Sequence, residues 1–124
     1  MCVGITCGKA LVSLMDGLYV VCSFGGGVAD ATARQFPGHV SWAVTLHSEH
    51  WSVALSKHRE SLVYLTADAE EEIETLDPKC FYIIGGLVDR NKLKRICFNR
   101  AEEHGIRTAR LPIASCLQLA GSKV

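Results

Sequence analysis

Phe81-Tyr-Ile-Ile-Gly-Gly-Leu-Val-Asp-Arg-Asn-Lys-Leu-Lys-Arg95 changes character twice along its length. The aromatic and β-branched run Phe81–Ile84 reads as a buried strand. Gly85-Gly86 ends it, because a residue without Cβ lets the backbone turn sharply or lie against a ligand. Asp89 follows as a lone carboxylate, and a helical segment then opens with Arg90, Lys92, Lys94 and Arg95. A strand, a glycine turn, an acid and a basic helix start, in that order, build a site.

Downstream, Leu93, Ile96, Cys97, Phe98 and Ala101 form a helical stripe within 91–104, with Gly105 as the residue just past the helix end. Ile106–Leu111 reads as the next strand, stopped by Pro112, and 114–119 as one or two further helical turns. Upstream, Leu62–Thr66 is another buried strand. It leads into Asp68 and an acidic helix over Ala69–Thr75, which Asp77-Pro78 ends. Six of the ten residues from Asp68 to Asp77 are acidic, which reads as a solvated helix face with its acids near the favourable N-terminal pole.

Earlier still, Leu18–Ser23 is a strand closed by Phe24 and Gly25–Gly27, and Val28–Phe36 a short helix stopped by Pro37-Gly38. Trp42–His47 alternates like a strand, and Ser48 stands as N-cap for a helix over Glu49–Lys57. Residues 1–17 lack a clean period; a short helix over Lys9–Met15 is the expectation there. Strands alternating with short helices indicate an α/β layer fold with a mainly parallel sheet and helices on both faces.

Composition bounds the function. A chain of 124 residues, 48% hydrophobic with three prolines, suits one folded domain. No apolar run reaches the ~18 residues needed to cross a bilayer, and no membrane partner is expected. The apolar stretch Ala10–Val21 contains Asp16 and Gly17 and does not read as a signal peptide. Six scattered cysteines read as reduced, mostly buried thiols. There is no C-x-x-C, and His47-x-x-His50 around Glu49 reads as a polar strand end and turn, so no metal is expected. Gly25–Gly27 is not G-x-G-x-x-G and reads as an ordinary strand-to-helix turn.

Net charge is formally zero, yet residues 1–78 hold four Lys/Arg against ten Asp/Glu and residues 79–124 hold nine against three. A basic C-terminal half suits a polyanionic partner.

Three stretches carry a resemblance: Leu62-Val-Tyr-Leu-Thr-Ala-Asp68, Tyr82-Ile-Ile-Gly-Gly-Leu-Val-Asp-Arg-Asn91 and Gly105-Ile-Arg-Thr-Ala-Arg-Leu-Pro-Ile113. In this order and spacing they resemble the tRNA (guanine(9)-N1)-methyltransferase family, a monomeric branch of the SPOUT methyltransferases. Val21–Gly27 and Trp42–Trp51 look like the family's second strand and the segment after it. The resemblance spans residues 18–124 and implies a trefoil knot in the C-terminal part, with S-adenosylmethionine held mainly by backbone groups of three loops. Carried to matching positions, those loops are Leu65-Thr66; Gly85, Gly86, Asp89, Arg90, Asn91, Lys92 and Leu93 together with Cys97; and Leu111 with Lys123-Val124.

The resemblance also implies roles. Asp89 stands where the family's proposed general base stands, to accept the proton of guanine N1. Arg90, Lys92, Lys94 and Arg95 would neutralise tRNA phosphates; cations at a helix start are otherwise electrostatically unfavourable. Arg107 and Arg110 are weaker candidates for RNA, being possible partners of the acidic segment. A nuclear or cytoplasmic, monomeric tRNA-modifying enzyme is the expectation.

Two departures stand beside it. Residues 1–17 match neither the family's first strand nor its Lys/Arg-rich extension, and form a divergent segment. The sequence stops at Val124, where family members continue into a closing helix, so 18–124 is expected to be an incomplete domain. A noncatalytic RNA- or protein-binding remnant of the same fold is the competing reading. A nucleotide-binding domain using Gly25–Gly27 is a third.

Overall fold

Short apolar runs pair into a single sheet in a computed structural model that describes residues 10–13, 19–85 and 94–117. In chain order its elements are β1 (Ala10–Ser13), β2 (Tyr19–Cys22), α1 (Gly26–Gln35), a 3-10 turn (Pro37–Ser41), β3 (Val44–Leu46) and α2 (Trp51–Ala54). A second 3-10 segment (Ser56–Ser61), β4 (Leu62–Leu65), β5 (Phe81–Gly85), α3 (Ile96–Glu103), β6 (Arg107–Ala109) and α4 (Ile113–Cys116) follow. The strand order is β3-β2-β1-β5-β4-β6.

β1 runs antiparallel to both β2 and β5, while β2 with β3, β4 with β5 and β4 with β6 are parallel. Five strands therefore point one way and β1 the other, so the α/β sheet is mixed around a parallel majority. The segment read as a short helix over Lys9–Met15 supplies β1. Ala10-Leu-Val-Ser13 is too short to show a period, and backbone pairing on both sides decides its conformation.

β4 explains why the sheet is covered twice. Leu62 and Tyr64 pack on one face with Val20, Cys22, Trp51, Leu55, Ile83, Ala101 and Ile106. Val63 packs on the other with Ile73, Tyr82 and Ala109. A strand buried on both sides reads as an unbroken apolar run, as 62–65 does. α2 and α3 close the first face. On the second, the residues joining the core from outside the sheet, Ile73 and Cys80, come from the segment between β4 and β5.

That segment is not the expected acidic helix over Ala69–Thr75. In a helix Glu70 would face Glu74, and Glu71 would face Glu74, at repulsive spacings. Instead the chain runs beside the end of β6: Ile73 N–H donates to the Arg110 carbonyl at 3.0 Å, and Arg110 N–H to the Glu71 carbonyl at 2.8 Å. Arg107 binds Glu71, and Arg110 Nε reaches Glu72 at 3.1 Å while its Nη1 donates to the Ala69 carbonyl at 3.0 Å. The two arginines are the partners the acidic segment called for.

Two other helices start later than their sequence suggests. The Glu49 carbonyl accepts from Ser23 N–H at 2.8 Å, which ties residue 49 to the end of β2 ahead of the helix. His50, rather than Ser48, then caps α2, its Nδ1 accepting from Ser52 N–H at 3.2 Å. α3 begins at Ile96, with Lys94 and Arg95 in the preceding turn. Arg95 takes a left-handed φ of 56°, a conformation costing about 1–2 kcal/mol outside glycine. The last helix covers Ile113–Cys116 and ends at an extended Leu117; residues 118–119 of the expected 114–119 lie outside the described residues.

The end of α3 follows expectation. Gly105 has φ 66°, its N–H donates to Glu102, and Ile106 N–H donates to Ala101, the paired bonds of a Schellman end. Among the described cysteines, all free thiols, Cys22 alone is buried. Burial pushes its thiol up from the ordinary value. Cys80 and Cys97 are half-buried and Cys116 is exposed, so "mostly buried" holds for one of the four.

Candidate functional site

β4, β5 and β6 end side by side. Leu65 pairs with Ile84 on one flank and with Ala109 on the other. Thr66, Gly85 and Leu111 therefore leave the sheet at one edge, outside the carboxyl ends of parallel strands, where open α/β sheets take their ligands. The β2 and β3 ends, with Gly25–Gly27 beyond β2, belong to the same edge because those strands share the direction.

Backbone bonds fix the first loop. Thr66 N–H donates to the Ala109 carbonyl at 2.9 Å, Ala69 N–H to the Thr66 carbonyl at 3.2 Å, and Asp68 N–H to Thr66 Oγ1 at 3.3 Å. At the third loop, Ile113 N–H donates to the Leu111 carbonyl at 2.8 Å. Ile84 and Leu111 keep 45% and 43% of their surface exposed, which leaves apolar surface open where a ligand would rest.

Gly85 is the tightest point. A Cβ there would stand 2.8 Å from Tyr64 Oη and 3.3 Å from Cys97 Sγ, so nothing larger than glycine fits without displacing a buried phenol. The backbone at 85 consequently lies flat against the core, with no side chain between it and Tyr64 or Cys97. A cofactor held by backbone groups fits a strand end of this kind.

The structure thus gathers Leu65, Thr66, Gly85, Cys97 and Leu111. Lys94 and Arg95 are exposed in the turn before α3, and the Arg95 guanidinium lies 4.1 Å from the centre of the Phe98 ring. Gly86, Asp89, Arg90, Asn91, Lys92, Leu93, Lys123 and Val124 lie outside the described residues. Gly25–Gly27 forms a strand-to-helix turn: Gly25 caps α1 from extended backbone, and Gly26 has φ 53°. His50 caps α2, in keeping with a polar turn.

Sequence reasoning passed over Tyr64. Its signal was a hydroxyl inside an aliphatic strand, 62–65, since a buried phenol needs a partner and a place. It also passed over a second concavity, at the opposite end of β4. There Trp51, Leu62 and Ile106 meet Ser52, Ser56, Arg59 and His104 around about 160 Å³. His50 stacks beside it, with ring centroids 5.0 Å from Trp51 and 5.6 Å from His104. Burial, then His104 and Arg100, hold the His50 ring below its ordinary value of 6.5.

Comparison with known proteins agrees with this fold. A tRNA (guanine(9)-N1)-methyltransferase of Kluyveromyces lactis is 54% identical over 65 residues, covering 52% of this chain and 22% of that protein. The tRNA methyltransferase 10 homolog A of Rattus norvegicus is 36% identical over 107 residues, covering 86% of this chain and 31% of that protein. Among solved structures, full-length spTrm10 in its SAH complex superposes with a TM-score of 0.72 at 35% identity, over 76% of this chain and 52% of that one. A second spTrm10 structure, spTrm10(74), gives 0.74 at 34% identity, over 80% and 54%. The chain spans less than a third of these two curated relatives and about half of the solved ones. The family profile for tRNA (guanine(9)-N(1))-methyltransferase TRM10/TRM10A matches residues 15–124, and to that family the chain belongs.

Proposed function

We propose that the carboxyl edge of β4, β5 and β6 holds S-adenosylmethionine and that the chain methylates N1 of guanine at position 9 of tRNA. The observation that carries this reading is Gly85, whose backbone lies against Tyr64 and Cys97 with no room for a side chain, between the strand ends carrying Thr66 and Leu111. The SAH complex of spTrm10, which this chain matches in fold and sequence, supports the same cofactor class. Leu65, Thr66, Gly85, Gly86, Cys97 and Leu111 would hold it, with Asp89–Leu93 and Lys123-Val124 completing the walls. Bound there, the cofactor supplies an electrophilic methyl on a sulfonium.

The chain's own residues do the rest. Guanine N1 carries a proton at neutral pH and becomes a nucleophile when that proton leaves. The Asp89 carboxylate takes it. Backbone at the ends of β4 and β5, up to Gly85, orients the reacting groups, which is where much of the acceleration of an in-line displacement arises. Arg90, Lys92, Lys94 and Arg95 face tRNA phosphates; a guanidinium stacked over Phe98 keeps its edge donors for a phosphate oxygen. The crossover from β5 past β4 to β6 is the passage in which a trefoil knot would be tied.

Methyl transfer to unmodified tRNA, with the modified position mapped, tests the reading. Label at N1 of guanine 9, lost in Asp89→Asn, is expected. Cofactor binding with full single-turnover transfer in Asp89→Asn would remove Asp89 as the base. No cofactor binding at all would favour a noncatalytic member of the fold.

A further inference from the structure

We propose that the concavity at the amino end of β4 is a phosphate-binding site, separate from the cofactor edge. It lies about 13 Å from Thr66 along the strand, taking ~3.3 Å per residue from Leu62. Its volume, about 160 Å³, is an order of magnitude above the ~15 Å³ that holds one water, which is room for a tetrahedral oxyanion.

The wall is rich in donors and poor in acceptors. Arg59, Ser52, Ser56 and His104 supply its polar side, and among the described residues no carboxylate lines it. The His104 carbonyl is already taken by Arg59 Nη2, which leaves the guanidinium's other N–H groups. Ser52 Oγ–H donates to His50 Nδ1 at 2.7 Å, so the donors left to the cavity are those of Arg59, Ser56 and His104. Trp51 Nε1, closed off from solvent and without an acceptor among the described residues, lies beside the cavity as a reporter of its occupancy rather than as a ligand. The nearby Glu103 is drawn off by Arg100 at 3.3 Å. What this cluster lacks is a group that only accepts, carries negative charge and matches a planar fork, and a phosphate is that group. A free phosphate anion and a phosphodiester of an RNA backbone share this chemistry.

The test is a titration of the isotope-labelled full chain in reducing, phosphate-free buffer, following the Trp51 indole N–H and the ring protons of His50 and His104. One arm adds inorganic phosphate and the other a uridine-only oligoribonucleotide. Saturable shifts of these signals are expected, weakened at least tenfold in Arg59→Gln and in Ser56→Ala. Saturation by phosphate alone assigns a mobile anion; saturation by the oligonucleotide alone assigns a backbone phosphate. Arg59→Lys, which keeps the charge without the fork, serves if Arg59→Gln does not fold. The proposal is overturned if neither titrant gives saturable shifts, or if the affinity survives both Ser56→Ala and the Arg59 replacement. S-adenosylmethionine binding on the same samples keeps this outcome separate from that of the cofactor edge.

Discussion

The two ends of β4 are built on opposite plans. At the carboxyl end the chain offers backbone: Thr66, Gly85 and Leu111 meet through the register of three parallel strands, and the decisive residue is one without a side chain. At the amino end it offers side chains: Trp51, Ser56, Arg59 and His104 converge from segments more than forty residues apart in sequence. A backbone site is written in short contiguous words, and a side-chain site is assembled only by folding.

This difference decides what the sequence discloses. Phe81–Gly85, Leu62–Leu65 and the Gly105 helix end are local features, and each is where its residues place it. β1 is not legible, because Ala10–Ser13 becomes a strand by pairing with β2 and β5 rather than by any pattern of its own. The segment 69–75 misleads for a related reason. Its composition favours a helix, while Arg107 and Arg110, over thirty residues away, hold Glu71 and Glu72 beside the end of β6. The formal division of charge between the halves is thereby cancelled in part inside the molecule. The contact of Gly85 with Tyr64 belongs to the same class, since neither residue points to the other in sequence.

Substitutions at the two ends of β4 should differ in effect. The largest effect is expected at the amino end. Trp51 is 1% exposed and packs edge-on against Tyr64 with ring centroids 5.7 Å apart. Trp51→Ala should therefore lose about 3–5 kcal/mol in urea unfolding. A loss under 1 kcal/mol would show that this aromatic cluster does not hold α2 on the sheet.

Next comes Gly85→Ala, which forces a Cβ to 2.8 Å from Tyr64 Oη. It should cost about 1–3 kcal/mol through overpacking, and part of that should return in Gly85→Ala/Tyr64→Phe, where the opposing oxygen is gone. Strict additivity of the two substitutions would place the strain elsewhere.

Smaller is the pH dependence from His50. Burial and its cationic neighbours lower its folded value below 6.5, so the folded chain binds fewer protons than the unfolded chain near that pH. Stability from the neutral ring is present above pH 6.5 and is lost as pH falls through the lowered folded value. The thermal midpoint should drop between pH 7 and 5 more in the wild type than in His50→Asn, which retains a capping acceptor. Equal slopes would acquit His50. The smallest effect belongs to Arg107→Ala: the bond from Arg107 holds Glu71 below the usual carboxylate range. Both side chains are half exposed, so thermal unfolding near neutral pH and moderate salt should barely move.

A calorimetric titration with S-adenosylmethionine decides between the glycines of the sheet edge. One-to-one binding by the wild type, abolished in Gly85→Ala and unchanged in Gly27→Ala, where a Cβ meets nothing within 4 Å, is the predicted result. Binding that survives Gly85→Ala and disappears in Gly27→Ala would contradict it and move the cofactor to the end of β2.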